Sequence, residues 1–223
     1  MTIHQHDHDH GHDQHSLGGH EQHAMGDTRS MALSATLHCL TGCAIGEIAG
    51  LVIGTAIGLS NVQTIALAVG LAFLFGYLLS TLPLLKAGVA FAAALKVVLA
   101  ADTLSILTME VVDNAVMAVI PGAMESGLVN ATFWLSMMLA LTAAFFAAYP
   151  VNRYLLGRGK GHALTHEYHQ TEAPATGRAR LIPTLSSGAL AAAIVAFMLG
   201  GLVVSLAAEL SDEPAPPAHG AAG

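Results

Sequence analysis

Carboxylates, thiols and thioethers occur in this chain within stretches otherwise almost free of polar side chains, and their spacing sets them on helix faces. Over Ala101–Met117, Asp102, Met109 and Asp113 fall within about 20° of one line on a helix, with Ser105 and Met117 roughly 60° to either side and Glu110 further round. Upstream, Cys39, Cys43 and Glu47 recur every fourth residue and share one stripe, with His38 at its edge. Two thiols, an imidazole and a carboxylate suit a soft or borderline ion such as Cu(I) or Zn(II). The mixed Met, Cys and carboxylate set as a whole favours Cu, Zn, Mn or Fe over Mg or Ca. Plainer explanations stand beside this one. Buried cysteine is a common apolar filler, and buried acids can be protonated and hydrogen-bonded to Ser, Thr or Asn of neighbouring helices. Asp102 could also be solvated near a membrane face. A structural disulfide between Cys39 and Cys43 is not expected.

The elements that hold these residues must be membrane helices. The 223 residues are 54% hydrophobic and 10% charged, against roughly 25% charged in soluble domains. Eight Lys+Arg against fifteen Asp+Glu leave a net charge of −7, and the mean hydropathy is +0.61. Such a chain cannot cover a soluble globule, and it lacks the basic footprint of a nucleic-acid binder. The expected fold class is all-α, a polytopic helical membrane protein. At about 20 residues per crossing, five transmembrane helices are expected at 37–58, 62–82, 97–120, 132–150 and 184–208. The stretch 84–96 is too short and basic to span, so it forms an interfacial helix or opens the third span. Residues 31–210 make the membrane domain, with a connecting loop at 151–183.

Both ends read as disordered tails. Residues 1–30 hold eight of the thirteen histidines, interleaved with Asp, Gln and Gly, and contain nothing that builds a core. Residues 211–223 combine acids, prolines and small residues. All eight basic residues fall in alternate connections: Arg29, then Lys86 and Lys96, then Arg153, Arg158, Lys160, Arg178 and Arg180. The positive-inside bias places the N-terminus in the cytoplasm and the C-terminus outside.

Gly42, Gly46, Gly50, Gly54 and Gly58 form a ladder at every fourth residue of the first span, a groove for close helix packing. Five spans are few for a transporter acting alone, so a homodimer packed through this ladder is expected. In the loop after span four, His162, His166 and His169 would align on a helix as a metal-docking patch; three solvated loop histidines fit as well. The nearby Gly-Arg-Gly-Lys-Gly run lacks the spacing of a phosphate-binding loop. Pro121-Gly122 ends the third span as a turn.

Several strings resemble one bacterial membrane-protein family: His38-Cys39-Leu-Thr-Gly42-Cys43-Ala-Ile-Gly46-Glu47, Ala101-Asp102-Thr-Leu-Ser105, Met109-Glu110-Val-Val-Asp113-Asn114, Pro121-Gly122-Ala-Met124, and Pro150-Val-Asn152-Arg153 with Arg158-Gly-Lys160-Gly-His162-Ala. The chain is similar there, over about residues 34–169, to the family catalogued as domain of unknown function 4396. The resemblance implies a multi-pass protein of the bacterial inner membrane and no particular activity.

The leading expectation is a transition-metal transporter or metal-handling protein whose partners are the bilayer and a metal ion. The His-rich tail captures the ion, Cys39, Cys43 and Glu47 form the inner mouth, and Met109, Asp113, Asp102 and Glu110 form the site within the membrane. The alternative is a non-transporting scaffold or assembly factor docking through the glycine ladder. An enzyme is not expected: a thiol-redox role for Cys39 and Cys43 is weakened by their three-residue gap and the lack of a redox-cofactor motif.

Overall fold

The computed structural model describes residues 17–86, 88–158 and 186–211. They form five helices: α1 Leu17–Ala56, α2 Asn61–Lys86, α3 Phe91–Val119, α4 Ala131–Gly157 and α5 Ser187–Ser211. Each is long and apolar enough to cross a membrane. The protein is an all-helical, multi-pass integral membrane protein. The histidines at 162, 166 and 169, the loop from 159 and the tail from 212 lie outside the described residues.

The pairing of neighbours follows from the short turns. Gly58 adopts φ 71°, a left-handed conformation that costs glycine nothing, and Leu59 N–H donates to Gly54 O at 2.8 Å, which stops α1 and reverses the chain. Along the α1–α2 seam Gly42 meets Gly76, Gly46 meets Ala72, Gly50 meets Ala68 and Gly54 meets Thr64, an antiparallel register. Gly122 at φ 78° plays a similar part after α3. There Asn130 caps α4 by accepting from Thr132 N–H at 2.8 Å.

Helix α5 closes the bundle against α4. The Trp134 indole fills the space above Gly201 and meets Phe197 edge-on at 5.7 Å. Its Nε1–H donates to Leu128 O at 2.8 Å, Ser205 Oγ donates to the same carbonyl at 3.0 Å, and Ala131 N–H donates to Glu209 Oε1 at 2.8 Å. The 120–130 connection is thereby held from two helices. At the far end, Asn152 Nδ2 donates to Thr36 Oγ1 at 2.8 Å, a buried cross-link between α4 and α1. The core runs chiefly through α1, α3 and α4, with Cys39, Cys43, Ile106, Met109, Trp134 and Met137 among its members, and takes in Ala72 of α2 and Met198 of α5.

The structure corrects several boundaries. Among the described residues α1 runs from Leu17, so residues 17–30 are helical where composition suggested a disordered tail; a helix once nucleated by its apolar segment extends outward at low cost. The stretch 84–96 is neither one interfacial helix nor wholly part of the third span: it is divided, with Leu84–Lys86 ending α2 beyond Pro83 and Phe91–Lys96 opening α3. Helix α4 continues through Pro150 to Gly157. Proline is tolerated in membrane helices because neighbours satisfy the freed backbone groups.

Candidate functional site

Rotation of α1 by one residue separates two seams. The glycine stripe faces α2, and the adjacent stripe faces α3. That second interface gathers most of the polar side chains singled out by their spacing. Their pairing is sequential along the bundle axis and forms a file. Cys39 lies against Asp102 and Ser105 of α3 and Ser80 of α2, with its Sγ 3.8 Å from Ser80 Oγ. About one turn on, Cys43 faces Glu110. A further turn on, Glu47 faces Asp113, with Glu110 also nearby. Asp102 and Asp113 are eleven residues apart, so the file extends about 17 Å along the axis at 1.5 Å per residue.

All of these groups are buried. Glu47 is 8% exposed, Asp102 1%, Glu110 3% and Asp113 4%. Asp102 is therefore not solvated at a membrane face. Both carboxyl oxygens of Glu47, both of Glu110, and Oδ1 of Asp113 have no hydrogen-bond partner among the described residues. The acids are thus not simply tied to Ser, Thr or Asn of neighbouring helices. No Lys, Arg or His lies between Cys39 and Leu85, between Val97 and Val119, or between Ala131 and Asn152. A charged side chain at the centre of a membrane helix costs about 3 kcal/mol on insertion scales. Three of them together cost about 9 kcal/mol, comparable to the whole stability of a domain. Such a cost implies neutralisation by protons or by a cation.

The file ends in a partly open cavity of about 340 Å³ lined by α1 to α4 and their turns. Glu47, Glu110 and Asp113 form its floor. Asn114, Met117 and Met137 line its middle, and Gly58, Asn61, Met124 and Ser126 reach the turns at its far end. All the described basic residues after Arg29, namely Lys86, Lys96, Arg153 and Arg158, lie toward the other end of the bundle.

The structure sorts the expected site residues. It joins Cys39 to Asp102, Cys43 to Glu110 and Glu47 to Asp113, but not all of them into one cage. Among the described residues, no three His, Cys, Asp or Glu side chains already converge as a metal centre. His38 points back along its own helix, with Nδ1 2.8 Å from Ser34 O. Met109 does not line the cavity; it packs in the apolar core, 1% exposed. Met117, two turns further along α3, takes the cavity position. Glu110, which the helical angle set apart from the main stripe, is drawn in because α1 covers that flank of α3. Both cysteines are free thiols.

The glycine ladder is also corrected. Four of its members face α2 of the same chain so closely that a Cβ at Gly42 or Gly46 would overlap the Gly76 or Ala72 backbone. The surface expected to form a homodimer is therefore already covered. Gly58 is not part of the seam: it ends α1, and nothing lies within 4 Å of a Cβ there. The positions that spacing did not single out are Ser80, Asn114 and Met137. Only Asn114 had a signal in the sequence, as the neighbour of Asp113.

Residues 28–161 match the family described as domain of unknown function (DUF4396), and the chain belongs to that family. No curated protein and no solved structure matches the chain.

Proposed function

We propose that this protein handles and transports a transition-metal cation across the bacterial inner membrane, along the α1–α3 interface. The observation that carries the reading is the file of Cys39, Asp102, Cys43, Glu110, Asp113 and Glu47, which ends in a cavity with unpartnered carboxyl oxygens. Its interior contains cation-binding groups and no basic side chain, and intramembrane acids of this kind characterise ion pathways and proton relays. The distribution of Lys and Arg supports an N-terminus in the cytoplasm and a cavity opening to the outside. The His-rich stretch 4–23 would then meet the ion on the cytoplasmic side. A scaffold docking through the glycine ladder lacks support, because α2 already occupies that face.

Metal accumulation in cells expressing the wild type, Asp113→Ala or Cys43→Ala tests the reading. The expected result is a change in accumulation of at least one of copper, zinc, manganese and iron with wild type only. Equal accumulation of every metal in all three strains would overturn it.

A further inference from the structure

The cavity floor and its wall differ in chemistry from the thiol end of the file, and that difference narrows the ion. The floor provides carboxylate oxygens from Glu47, Glu110 and Asp113, and the wall adds the Asn114 amide and the Met117 thioether. Neither Cys39 nor Cys43 lines the cavity. Glu47 and Glu110 are each more than nine-tenths buried, and both present two oxygens without a partner.

We infer that this cavity is a binding site for a first-row divalent cation of the Mn²⁺ or Fe²⁺ type, held chiefly by Glu47 and Asp113 with Asn114 and Met117 beside them. The inference deepens the transport reading of the same site and rests on it for the role of the ion. Two carboxylates with retained water are enough to hold a hexacoordinate divalent ion, so three converging acids are not required. A volume of about 340 Å³ leaves room for an ion with several of its waters. Oxygen donors without a thiol disfavour Cu(I), whereas a thioether adds nothing for Mg²⁺ or Ca²⁺, which take oxygen ligands. Charge fits as well: a divalent ion neutralises two of three carboxylates in a region without basic side chains.

Mn²⁺ is the appropriate probe, because carboxylates suit it and the imidazoles of the His-rich segment prefer zinc, copper and nickel. The loss of the sharp EPR spectrum of free Mn²⁺ would be followed on addition of the purified full-length protein, for wild type, Glu47→Gln/Asp113→Asn and Met117→Leu. The expected result is Mn²⁺ binding by wild type that excess Mg²⁺ or Ca²⁺ does not displace. The double variant should weaken it by at least the roughly 10- to 100-fold that changes around a metal site cost. Met117→Leu, which keeps the volume, should lower the preference for Mn²⁺ over Ca²⁺. Equal binding by wild type and a folded double variant overturns the site. Displacement of Mn²⁺ by Ca²⁺ in wild type, or an unchanged preference in Met117→Leu, overturns the ion class. Mn²⁺ flux into liposomes separates the two readings: binding without flux leaves the site standing and removes transport, while flux that survives in the double variant does the reverse.

Discussion

Two stripes on α1, one residue apart, meet their neighbours by opposite means. Toward α2, Gly42, Gly46, Gly50 and Gly54 bring two backbones into contact with hardly a side chain between them. Toward α3, Cys39, Cys43 and Glu47 face acids, and the interface widens into a cavity with unsatisfied oxygens. The first seam is fixed by shape and tolerates no added atom. The second retains polar groups that contribute nothing to packing and cost stability. One rigid seam therefore holds the helix that presents the other, as a functional site built on rigid elements requires.

The largest test of the comparison is Gly46→Leu. The new side chain has only the Ala72 backbone to occupy, so the cost should exceed the about 1–3 kcal/mol of ordinary overpacking. The detergent-solubilised protein should lose its cooperative melt or fail to accumulate. Gly70→Ala, with open space around its Cβ, should instead hold or raise the melting temperature, since it gains helix propensity. Comparable damage from both would mean that the ladder is not a steric seam.

On the α3 side the sign should reverse. In metal-free protein, replacing Glu47 with Gln and Asp113 with Asn removes two buried groups whose charge must otherwise be neutralised, so thermal stability should rise, by about 1–3 kcal/mol on the scale of a buried unsatisfied polar group. A marked fall in melting temperature in metal-free protein would show that these acids stabilise the fold and are not there for a ligand, whereas a fall seen only with Mn²⁺ present reports the lost ion.

Smaller effects sharpen the picture. Asn152→Ala removes the buried bond to Thr36, and interhelical hydrogen bonds in membranes are worth about 0.6 kcal/mol on average. A melting shift far above that would give this contact a larger part in docking α4. Met109→Leu should change stability by less than about 1.5 kcal/mol and leave Mn²⁺ binding as in wild type, in contrast to Met117→Leu. A binding defect in Met109→Leu would place the site one or two turns deeper than the cavity floor.

Much of the fold is legible in the chain. Long apolar runs give five helices because the bilayer demands about 20 apolar residues and satisfied backbone groups, and Pro121-Gly122 marks a turn, whereas Gly58 reads as a fifth rung of the ladder and proves to be the turn after α1. Boundaries are less legible where local rules and tertiary context compete. Pro150 reads as a terminus, yet α4 runs through it, with Asn152 bound to Thr36 one turn-half beyond. Of the site, the helical period shows that Cys39, Cys43 and Glu47 share a face, and likewise Asp102 and Asp113. It does not show which helix each face meets, and so it admitted Met109 to the site and placed Glu110 off the main stripe, although it counted Glu110 among the site residues.

The sequence by itself determined that this is a helical membrane protein, which residues must be buried if the bilayer is to accept them, and which glycines permit close approach. Those properties follow from solvent transfer and from the local geometry of a single helix. Only the tertiary structure decided that the ladder is occupied by α2, that thiols and acids pair in a file, and that Met117 rather than Met109 faces the cavity. A helix's period fixes the angles between its own side chains, but the neighbours that cover each angle are set by how all five helices pack together.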